Sequence, residues 1–509
     1  MPPRCSRRDA AAAVYRSAAE LLEIPRHWGS GARIWEDDKM RKTKIVCTIG
    51  PACEDEQTLI EMVKAGMNVA RLNFSHGKHE EHQEKIDRIK AVRKKLGVPL
   101  AIMLDTKGPE YRIGTFKDKK CVLHEGDRFV FTPDEIEGDE TRVSVSYKNL
   151  ADELGVGDQV LVNNGLLIFT VTAIEGRDVV CRVDEGGEIS NRKSMSFPGK
   201  VLHQIYLSEH DKEDLLFGIK NDVDYIACSF VSCKQDVLNV VDFLRENGAD
   251  KMGIIAKIEN RSGIDNIEDI CSVCDGIMIG RGDMGVEIPF EELPAIQKGL
   301  ITKCRLLGKR VITATEMLES MINNPRPTRA EISDVANAVY DGTSAIMLSG
   351  ETAAGKHPVL TVATMSKIAE ATEESISYRE RFHNATFRIR NEIDAISHSV
   401  CGMAMDIGAK AIVVCSISGM TARMVSRFRP PVDIIGLSVN EKTWHQLSLS
   451  WGVTPVMCEL YPSTDVLFYT AKRLAKQTLG LQKGDRMIIT GGTATGTTGN
   501  TNTIRVETI

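Results

Sequence analysis

Three charged residues near the middle of the chain have the types and spacing that could hold a metal ion against an anionic substrate. Lys257 and Glu259 end one apolar run, and Asp283 follows the next apolar run along the chain. Both runs are typical of short buried β-strands, in which residues two apart point to the same face. One cation and two carboxylates at neighbouring strand ends suit metal-assisted chemistry on a phosphorylated or enolate-forming substrate. A structural ion pair at the end of a sheet is the alternative interpretation.

These two runs belong to a longer alternation of strand and helix patterns. The helical patterns include 55–65, 79–95 and 289–307. The apolar strand patterns lie at 44–50, 68–74, 99–105, 223–230, 253–259, 275–280, 310–315 and 343–348. Eight such units predict an α/β fold, a parallel (β/α)8 TIM barrel ringed by helices. Polar or small residues follow the strands, and in such barrels the chemistry gathers at the carboxyl-end rim.

The alternation is interrupted between the third and fourth predicted strands. Residues 109–206 carry short alternating β patterns that are split by glycine and aspartate turns. Turn signals at this spacing predict a small inserted β-barrel domain. Because the insertion point lies at the catalytic rim, we expect the insert to act as a lid over the site.

The chain outside the insert divides into three further parts. The catalytic barrel is predicted to comprise 40–108 and 207–375. Beyond it, a new strand and helix alternation over 376–509 predicts a C-terminal α/β domain that serves regulation and oligomerisation. Its strands are predicted near 411–416, 432–437 and 486–490. Residues 1–39 lack a signal-peptide pattern, and we expect them to be a disordered N-terminal extension.

Composition narrows the class of protein. The chain has 509 residues, 42% of them hydrophobic, and a formal net charge of -6. No apolar run is long enough for a membrane helix, and the charge balance lacks the basic excess of a nucleic-acid surface. The 13 cysteines are scattered through apolar runs, which is typical of buried thiols in a reducing compartment. We therefore expect a cytoplasmic enzyme with no membrane or nucleic-acid partner.

One loop of the predicted C-terminal domain could hold a phosphate group. Ser416, Ser418, Gly419 and Thr421 form a hydroxyl- and glycine-rich turn between a predicted strand and a helix. Backbone N–H groups in such a turn can cradle a phosphate. A plain flexible turn remains the alternative.

Six segments together resemble one known family. They lie in order along the chain at 68–77, 104–110, 255–260, 314–320, 327–331 and 346–352. These segments look like the signature motifs of the pyruvate kinases, and the resemblance extends from Met40 to the C-terminus. It implies transfer of the phosphoryl group of phosphoenolpyruvate to ADP, which gives pyruvate and ATP in the last step of glycolysis. Mg²⁺ (or Mn²⁺) and K⁺ are the implied cofactors.

The resemblance also implies roles for particular residues. Glu259 and Asp283 would bind Mg²⁺, and Lys257 would neutralise charge on the transferring phosphoryl group and the enolate oxygen. Arg71 would bind the substrate phosphate, because the N–H donors of its planar guanidinium group match the spacing of phosphate oxygens. The turn that Gly282 and Asp283 open would bind the substrate carboxylate through its amides. Thr315, with Ser349 as a weaker candidate, would help to protonate the enolate.

Further positions match the family's potassium and nucleotide sites. Asn73, Ser75, Asp105 and Thr106 resemble the K⁺ ligands, and Glu110 is the residue found in K⁺-requiring members. K⁺-independent members resemble this chain except for a lysine in place of Glu110. The nucleotide-side residues implied by the resemblance are Asn73, His76, Arg112 and His210. His210 replaces a lysine that is frequent in the family, and an imidazole is only partly charged near neutrality.

Regulation and assembly are expectations from the same resemblance. Ser416, Ser418, Gly419 and Thr421 resemble the loop that holds an effector phosphate in allosteric members, so a sugar phosphate or AMP is a candidate activator. A homotetramer is the family's usual assembly. Two other functions stay open, namely a metal-dependent lyase acting on pyruvate enolates and a catalytically inactive binding scaffold. The complete set of charges at Arg71, Lys257 and Glu259 argues against a scaffold.

Overall fold

The apolar strand segments close into a single parallel barrel in the computed structural model. Strands and helices are numbered here in chain order. The barrel strands are β1 (Lys44–Thr48), β2 (Val69–Asn73), β3 (Ala101–Asp105), β13 (Tyr225–Cys228), β14 (Gly253–Ile258), β15 (Gly276–Gly280), β16 (Arg310–Ala314) and β17 (Ala345–Leu348). They pair in the closed order β1-β17-β16-β15-β14-β13-β3-β2, which confirms the predicted TIM-barrel fold. Both faces of these strands are covered, which explains why they are apolar throughout.

Helices surround the barrel, and several of them begin at residues whose side chains cap them. They are α1 (Glu56–Ala65), α2 (His79–Leu96), α4 (Glu209–Lys220), α5 (Lys234–Glu246), α6 (Arg261–Asp265), α7 (Ile267–Val273), α8 (Arg281–Glu287), α9 (Leu293–Leu306), α10 (Arg329–Asp341), α11 (Gly350–Ala353) and α12 (Pro358–Glu374). Ser208 and Asp211 form a capping box that fixes the start of α4. The helix predicted to begin at residue 289 begins at Leu293, because 289–292 forms a separate turn.

The insert is a curled β-sheet with its own apolar core. Its elements are β4 (Tyr111–Arg112), β5 (Lys120–Leu123), β6 (Arg128–Thr132), β7 (Arg142–Ser144), α3 (Leu150–Glu153), β8 (Gln159–Val162), β9 (Leu167–Glu175), β10 (Asp178–Glu185), β11 (Gly187–Ser190) and β12 (Ser194–Ser196). Seven strands pair in the order β4-β12-β8-β9-β10-β6-β7, and β5 pairs with β11. A bridge between Ile113 and Val145 joins the two edges of the larger sheet. Phe129, Phe131 and Phe169 fill its centre.

The C-terminal part folds as an α/β layer of five strands. Its elements are α13 (Tyr378–Asn384), α14 (Glu392–Asp406), β18 (Ala411–Cys415), α15 (Met420–Arg427), β19 (Asp433–Ser438), α16 (Glu441–Leu447), β20 (Val453–Met457), α17 (Thr464–Leu479), β21 (Arg486–Gly492) and β22 (Thr501–Thr508). The order is β20-β19-β18-β21-β22, with only β22 antiparallel. The sequence predicted the three central strands and missed both edge strands, because their alternating or Pro-containing patterns are weaker signals.

The C-terminal domain covers the amino-terminal end of the barrel. Leu449 packs among the side chains of the barrel interior, such as Met103 and Ile255. The hydroxyl of Tyr225, at the start of β13, donates a 2.6 Å hydrogen bond to the Gln446 carbonyl oxygen. This contact covers the amino-terminal end, so the opposite rim, where the polar residues follow the strands, is the end available for ligands.

The structure describes residues 41–200, 202, 205–461, 463–492 and 499–509. The prediction for residues 1–39 lies outside these residues, as does part of the glycine-rich tail. The predicted domain limits stay predictions. No helix in the described parts of the chain is long and apolar enough to cross a membrane.

Candidate active site

Lys257 is the cationic centre of the carboxyl-end rim. Its Nζ lies 3.1 Å from Asp105 Oδ1 and 3.1 Å from Glu259 Oε1, and it donates a 2.7 Å hydrogen bond to Ser229 Oγ. Burial alone would lower the pKa of Lys257, but the attraction of Asp105 and Glu259 outweighs burial and raises it. The ammonium group is therefore held fully charged.

A second cation stands beside it on β2. Arg71 donates from Nε to Asp105 Oδ2 at 2.6 Å and from Nη1 to Thr48 Oγ1 at 2.8 Å. Burial would raise the pKa of Asp105, but the charges of Arg71 and Lys257 lower it. One buried carboxylate thus aligns two cationic side chains from two different strands, which puts both at the same mouth of the barrel.

Glu259 and Asp283 form a carboxylate pair next to Lys257, in which Glu259 is buried and Asp283 is exposed. Burial raises the pKa of Glu259 to about 7; Lys257 opposes this effect and Asp283 adds to it. Burial also raises the pKa of Asp283; Lys257 opposes this too, and Glu110 adds to it. Phe230 N donates to Glu259 Oε2 at 2.8 Å and fixes its orientation. Two close carboxylates with raised pKa values are the kind of pair that a bound divalent cation would hold ionised.

The space around Glu259 suits this interpretation. A Cβ built on Gly280 would lie 2.6 Å from Glu259 Oε1, so only glycine leaves the carboxylate in place. Carboxylate oxygens are the ligands that Mg²⁺ and Mn²⁺ accept, and Mg²⁺ commonly uses only one or two from the protein. Across the described ranges, no group of three or more His, Cys, Asp or Glu residues could hold a metal by itself. The pair fits a metal that also takes ligands from substrate and water.

Gly282 and Asp283 do not open a free turn, as the sequence predicted, but lie in the first turn of α8. The Gly282 N–H donates a 2.8 Å hydrogen bond to Thr315 Oγ1, so the threonine hydroxyl occupies one amide that the helix leaves unpaired. Thr315 has φ of +68°, and Glu316 has φ of +52°. A β-branched residue in this region is strained, and strain of this kind concentrates at functional sites.

Arg281 holds α8 against the strained segment. Its guanidinium forms a salt bridge of 2.7 Å with Asp334 and donates 3.1 Å hydrogen bonds from Nε to the carbonyl oxygens of Ala314 and Thr315. The start of the helix that carries Asp283 is thereby tied to the loop that carries Thr315. Sequence reasoning did not identify this role of Arg281.

Ser349 follows β17 on the same rim. Its N–H donates to Glu351 Oε2 at 2.6 Å, while its hydroxyl is buried without a protein partner. A buried unpaired hydroxyl is a group for which a ligand or water is the natural partner. No contact joins Ser349 to Lys257 or Thr315 among the interactions of the described residues.

The four predicted potassium ligands lie at the ends of β2 and β3. Asn73 and Asp105 are neighbours in the strand register, and Asn73 Oδ1 accepts a 3.1 Å hydrogen bond from Ser75 N. Thr106 Oγ1 bonds to the Ala227 carbonyl oxygen at 3.3 Å. The set offers hydroxyl, amide and carboxylate oxygens, which is the donor chemistry of a hard cation.

The predicted nucleotide-side residues lie farther out. His76 is exposed just after β2. Arg112, in the insert, forms a 2.5 Å salt bridge with Glu110. His210, in the first turn of α4, lies 3.8 Å from the buried carboxylate of Asp214. These three residues make no direct contact with Lys257, although the chain brings them to the same side of the barrel.

The loop of Ser416, Ser418, Gly419 and Thr421 lies elsewhere. It precedes and begins α15, beside a cavity of the C-terminal domain. Gly419 has φ of +72°, and Thr421 Oγ1 lies 2.7 Å from Thr501 Oγ1. The structure therefore does not join this loop to the barrel rim.

Ser229 is the functional residue that the sequence analysis missed. Its hydroxyl accepts from Lys257, lies 3.2 Å from Asp105 Oδ1 and donates to the Thr106 carbonyl oxygen at 2.6 Å. The residue follows β13 directly, so the rule that polar residues follow barrel strands would have found it.

The rim can bind an anion and stabilise further negative charge. Two fixed cations, Lys257 and Arg71, lie beside the carboxylates of Glu259 and Asp283, a pair able to hold a divalent ion. Such preorganised charge acts strongly in a buried site, because it costs no reorganisation when the reaction occurs. This arrangement suits phosphoryl transfer between two anions.

Comparison with known proteins agrees with this chemistry. Residues 40–362 match the family model described as pyruvate kinase, barrel domain, and residues 394–507 match pyruvate kinase, alpha/beta domain. The chain is 45% identical to a pyruvate kinase of Clostridium acetobutylicum, covering 92% of this chain and 100% of that protein. It is 47% identical to one of Staphylococcus epidermidis, covering 92% and 80%. A crystal structure of a pyruvate kinase from Cryptosporidium parvum superposes with a TM-score of 0.88 at 37% identity, covering 92% of this chain and 96% of that one. The chain belongs to the pyruvate kinase family.

Proposed function

We propose that this enzyme transfers the phosphoryl group of phosphoenolpyruvate to ADP and releases pyruvate and ATP, as the last step of glycolysis. The bond between phosphorus and the enol oxygen breaks, a bond to a β-phosphate oxygen of ADP forms, and the enolate carbon takes up a proton. The observation that carries the proposal is the fixed pair of cations, Lys257 and Arg71, beside the carboxylates of Glu259 and Asp283.

The two cations would act on the phosphate and the enolate. Asp105 and Thr48 hold the guanidinium group of Arg71 in one orientation. Arg71 binds the phosphate with the N–H donors that these two contacts do not use. Lys257 neutralises charge on the transferring group and on the enolate oxygen. Both are preorganised by Asp105, so little reorganisation is needed during the reaction.

Glu259 and Asp283 would hold Mg²⁺ or Mn²⁺. When bound, the ion supplies positive charge that polarises substrate oxygens and neutralises the transferred group. The chain's own part is to keep the Glu259 carboxylate buried and oriented, through Phe230 N and the space left by Gly280, beside Asp283.

The substrate carboxylate and the proton would be handled at the start of α8. We place the carboxylate near Gly282 and Asp283, where the helix begins, and the enolate carbon near Thr315. The Thr315 hydroxyl accepts from Gly282 N and lies 2.6 Å from the Ala314 carbonyl oxygen, so its orientation is fixed. It would order the water or hydroxyl that delivers the proton, and the unpaired hydroxyl of Ser349 is the weaker candidate for the same relay.

Four residues, Asn73, Ser75, Asp105 and Thr106, would hold K⁺, which places one more positive charge beside the phosphate.

Glu110 is the residue that we expect to decide whether K⁺ is required. Beyond burial, its negative charge helps to raise the pKa of Asp283, so a charge at position 110 acts electrostatically on the site. We expect Glu110→Lys to raise the activity measured without K⁺ by about tenfold or more, because a fixed ammonium group replaces part of the ion's charge. A tenfold rise corresponds to a decrease of ~1.4 kcal/mol in the activation free energy. The rate is measured with and without K⁺ at saturating Mg²⁺. Glu135→Lys, a charge change on an exposed residue of the insert, is the control. An unchanged K⁺ requirement in Glu110→Lys would contradict the assignment.

ADP would lie between the barrel rim and the insert, near Asn73, His76, Arg112 and His210.

His210 is the nucleotide-side residue that differs from the family's frequent lysine. Its side chain is half exposed, and the nearest carboxylates are those of Asp214, at 3.8 Å, and Glu213, at 4.0 Å. We expect His210→Lys to lower KM for ADP by about threefold to tenfold at pH 8, because lysine stays charged where an imidazole is neutral. The KM for phosphoenolpyruvate should not change. A KM for ADP that is equal in both proteins at pH 8 would remove His210 from the nucleotide site.

The insert would serve as the lid of this site. Its β4 carries Arg112, and Gly165 lies near Val286 of α8, so it already contacts the barrel beside the carboxylate pair. Closure would exclude water from the transferring phosphoryl group.

The loop of Ser416, Ser418, Gly419 and Thr421 would bind a phosphorylated activator. The active assembly would be a cytoplasmic homotetramer.

A coupled assay with phosphoenolpyruvate and ADP tests the function. Activity should require both substrates and should fall when Mg²⁺ or K⁺ is left out in turn. A lyase acting on pyruvate enolates would turn over without ADP, and an inactive scaffold would bind ligands without turnover. Titration with sugar phosphates and AMP tests the effector loop, because an activator would shift the phosphoenolpyruvate response curve.

A further inference from the structure

A cavity between the barrel and the C-terminal domain is lined by three arginines. Arg305 lies near the end of α9, Arg381 lies on α13, and Arg429 follows α15. The other walls of the cavity include four aromatic residues, Tyr378, Phe382, Phe428 and Trp451. The cavity is far from the carboxyl-end rim and does not include the loop of Ser416, Ser418, Gly419 and Thr421.

The arginines gather around the carboxyl end of α10. Arg381 Nη1 donates a 2.6 Å hydrogen bond to the Tyr340 carbonyl oxygen, and Arg429 Nη2 donates a 3.0 Å one to the Gly342 carbonyl oxygen. A Cβ built on Gly342 would lie 3.5 Å from Arg305 Cδ. A helix end supplies only about half of one negative charge. Capping of α10 therefore accounts for the position of the arginines but not for three positive charges.

Among the described residues, these charges have no carboxylate in direct contact, although the charge of Glu373 acts on Arg429 from a greater distance. Within the described part of the chain, none of the three guanidinium groups has a carboxylate within 4.0 Å. The Nε atoms of Arg305 and Arg429 are buried and have no hydrogen-bond partner. Asp341 also lines the cavity, but its Oδ1 lies 2.5 Å from Lys298 Nζ. Burial, and then the charge of Arg381, lowers the pKa of Arg305; burial, and then the charge of Arg305, lowers the pKa of Arg429 to about 9.

Arg429 is buried and Arg305 is half-buried, whereas Arg381 is exposed. Burial of a charge without a partner is costly, and a ligand of opposite charge would offset that cost. We propose that Arg305, Arg381 and Arg429 form a second anion site, which binds the phosphate group of a phosphomonoester. Guanidinium groups match phosphate oxygens in pairs, and a dianion balances most of the cluster's charge. The aromatic side chains offer flat surfaces for the organic part of the ligand.

The surroundings favour entry of an anion. A neighbouring cavity shares Arg305 and Arg429 and adds Lys309 and Arg310, together with Arg423, which pairs with Asp275 at 2.6 Å. Charge of one sign concentrated in a cleft raises the local concentration of oppositely charged ligands. Arg429 Nη2 also donates to Ser344 Oγ at 3.1 Å, next to the start of β17. A bound phosphate would therefore stabilise the contact between the C-terminal domain and the barrel.

Thermal unfolding and calorimetry of the full chain test the site without depending on catalysis. Arg305→Leu is compared with wild type and with Arg379→Leu, a control on the same helix as Arg381 whose side chain pairs with Asp406 outside the cavity. In buffer free of phosphate, Arg305→Leu should raise the melting temperature, because it removes an unpaired charge. If Arg305 served only to stabilise the fold, Arg305→Leu would lower the melting temperature instead.

Inorganic phosphate, glucose 6-phosphate and AMP are the three probes. Each probe that binds should raise the melting temperature of wild type and of Arg379→Leu. In Arg305→Leu its affinity should fall by about tenfold or more, as expected for the loss of one charge-assisted contact. A response to all three probes identifies free phosphate as sufficient, whereas tighter binding of an ester identifies the organic part as a determinant. Ser418→Glu should leave this binding unchanged, which separates the site from the effector loop.

Two outcomes would overturn the proposal. In the first, the three proteins respond equally to every probe. In the second, Arg305→Leu changes the mass of the assembled enzyme in light scattering while phosphate binding stays equal, which would mean that acidic side chains of a second subunit occupy the cavity.

Discussion

The Lys257→Met protein should fold and bind ADP but lose phosphoryl transfer by about a thousandfold or more, equivalent to ~4 kcal/mol of transition-state stabilisation. Methionine keeps the length and the apolar stem of lysine but removes the charge. In the native site that charge lies 3.1 Å from both Asp105 and Glu259. In the proposed mechanism, its loss would remove the cation that neutralises charge on the transferring group and the enolate oxygen. The coupled assay measures kcat, and circular dichroism measures the fold.

The same substitution should lower the melting temperature without unfolding the protein at 25 °C. Two buried carboxylates lose their shared partner, so their pKa values should rise and one of them should take up a proton. Lys303→Met is the matched control, because Lys303 pairs with Glu268 on the surface and should retain full activity. Near-normal turnover in Lys257→Met would refute the role assigned to this residue.

Glu259→Gln is expected to have the second largest effect. Glutamine has nearly the same shape and can still accept the hydrogen bond from Phe230 N through its amide oxygen. It cannot supply the negative charge that a divalent ion needs, so Mn²⁺ binding should weaken by about a hundredfold or more and kcat should fall to a similar extent. Binding is measured by electron paramagnetic resonance of Mn²⁺, which reports on the site even when the enzyme is inactive.

Glu268→Gln controls for the loss of a carboxylate. Glu268 lies on the surface beside Lys303, and its replacement should change neither Mn²⁺ binding nor rate. If Glu259→Gln bound Mn²⁺ with native affinity and lost only activity, Glu259 would not be a metal ligand. A loss of both properties together, with a native melting curve, is the result that the pair of Glu259 and Asp283 predicts.

Much of the barrel rim could be predicted from the strand ends. Arg71, Asp105, Lys257 and Glu259 end apolar runs or lie next to their ends, and parallel strands in a barrel bring those ends to one rim. Asp105 nevertheless has a function that no local pattern shows. It aligns Arg71 and Lys257 because β3 pairs with β2 and β13, and β13 pairs with β14.

The loop geometry at the rim could not be predicted in the same way. The segment at Gly282 and Asp283 was expected to be a turn, and it is the beginning of α8. Two glycines favour a turn locally, but the Thr315 hydroxyl and the anchored guanidinium of Arg281 stabilise the helix start from another segment. The positive φ of Thr315 is likewise held by its surroundings and contradicts its own preference for extended backbone.

The arginine cavity is an example of the same limit. Arg305, Arg381 and Arg429 are separated by long stretches of sequence, and each alone would be read as an ordinary surface cation. Their proximity follows from the packing of α9 and α10 of the barrel against α13 and the segment after α15 in the C-terminal domain. Only a three-dimensional arrangement reveals that they face one another without carboxylate partners.

The amino-acid order determined the barrel, its inserted sheet and the charged residues that follow its strands, because hydrophobic periodicity and strand-end chemistry act over a few residues. Packing determined which of those residues touch, the helical start at Asp283, the strained backbone at Thr315 and the clustering of distant arginines. These features depend on contacts between segments far apart in the chain, and such contacts exist only once the whole molecule has folded.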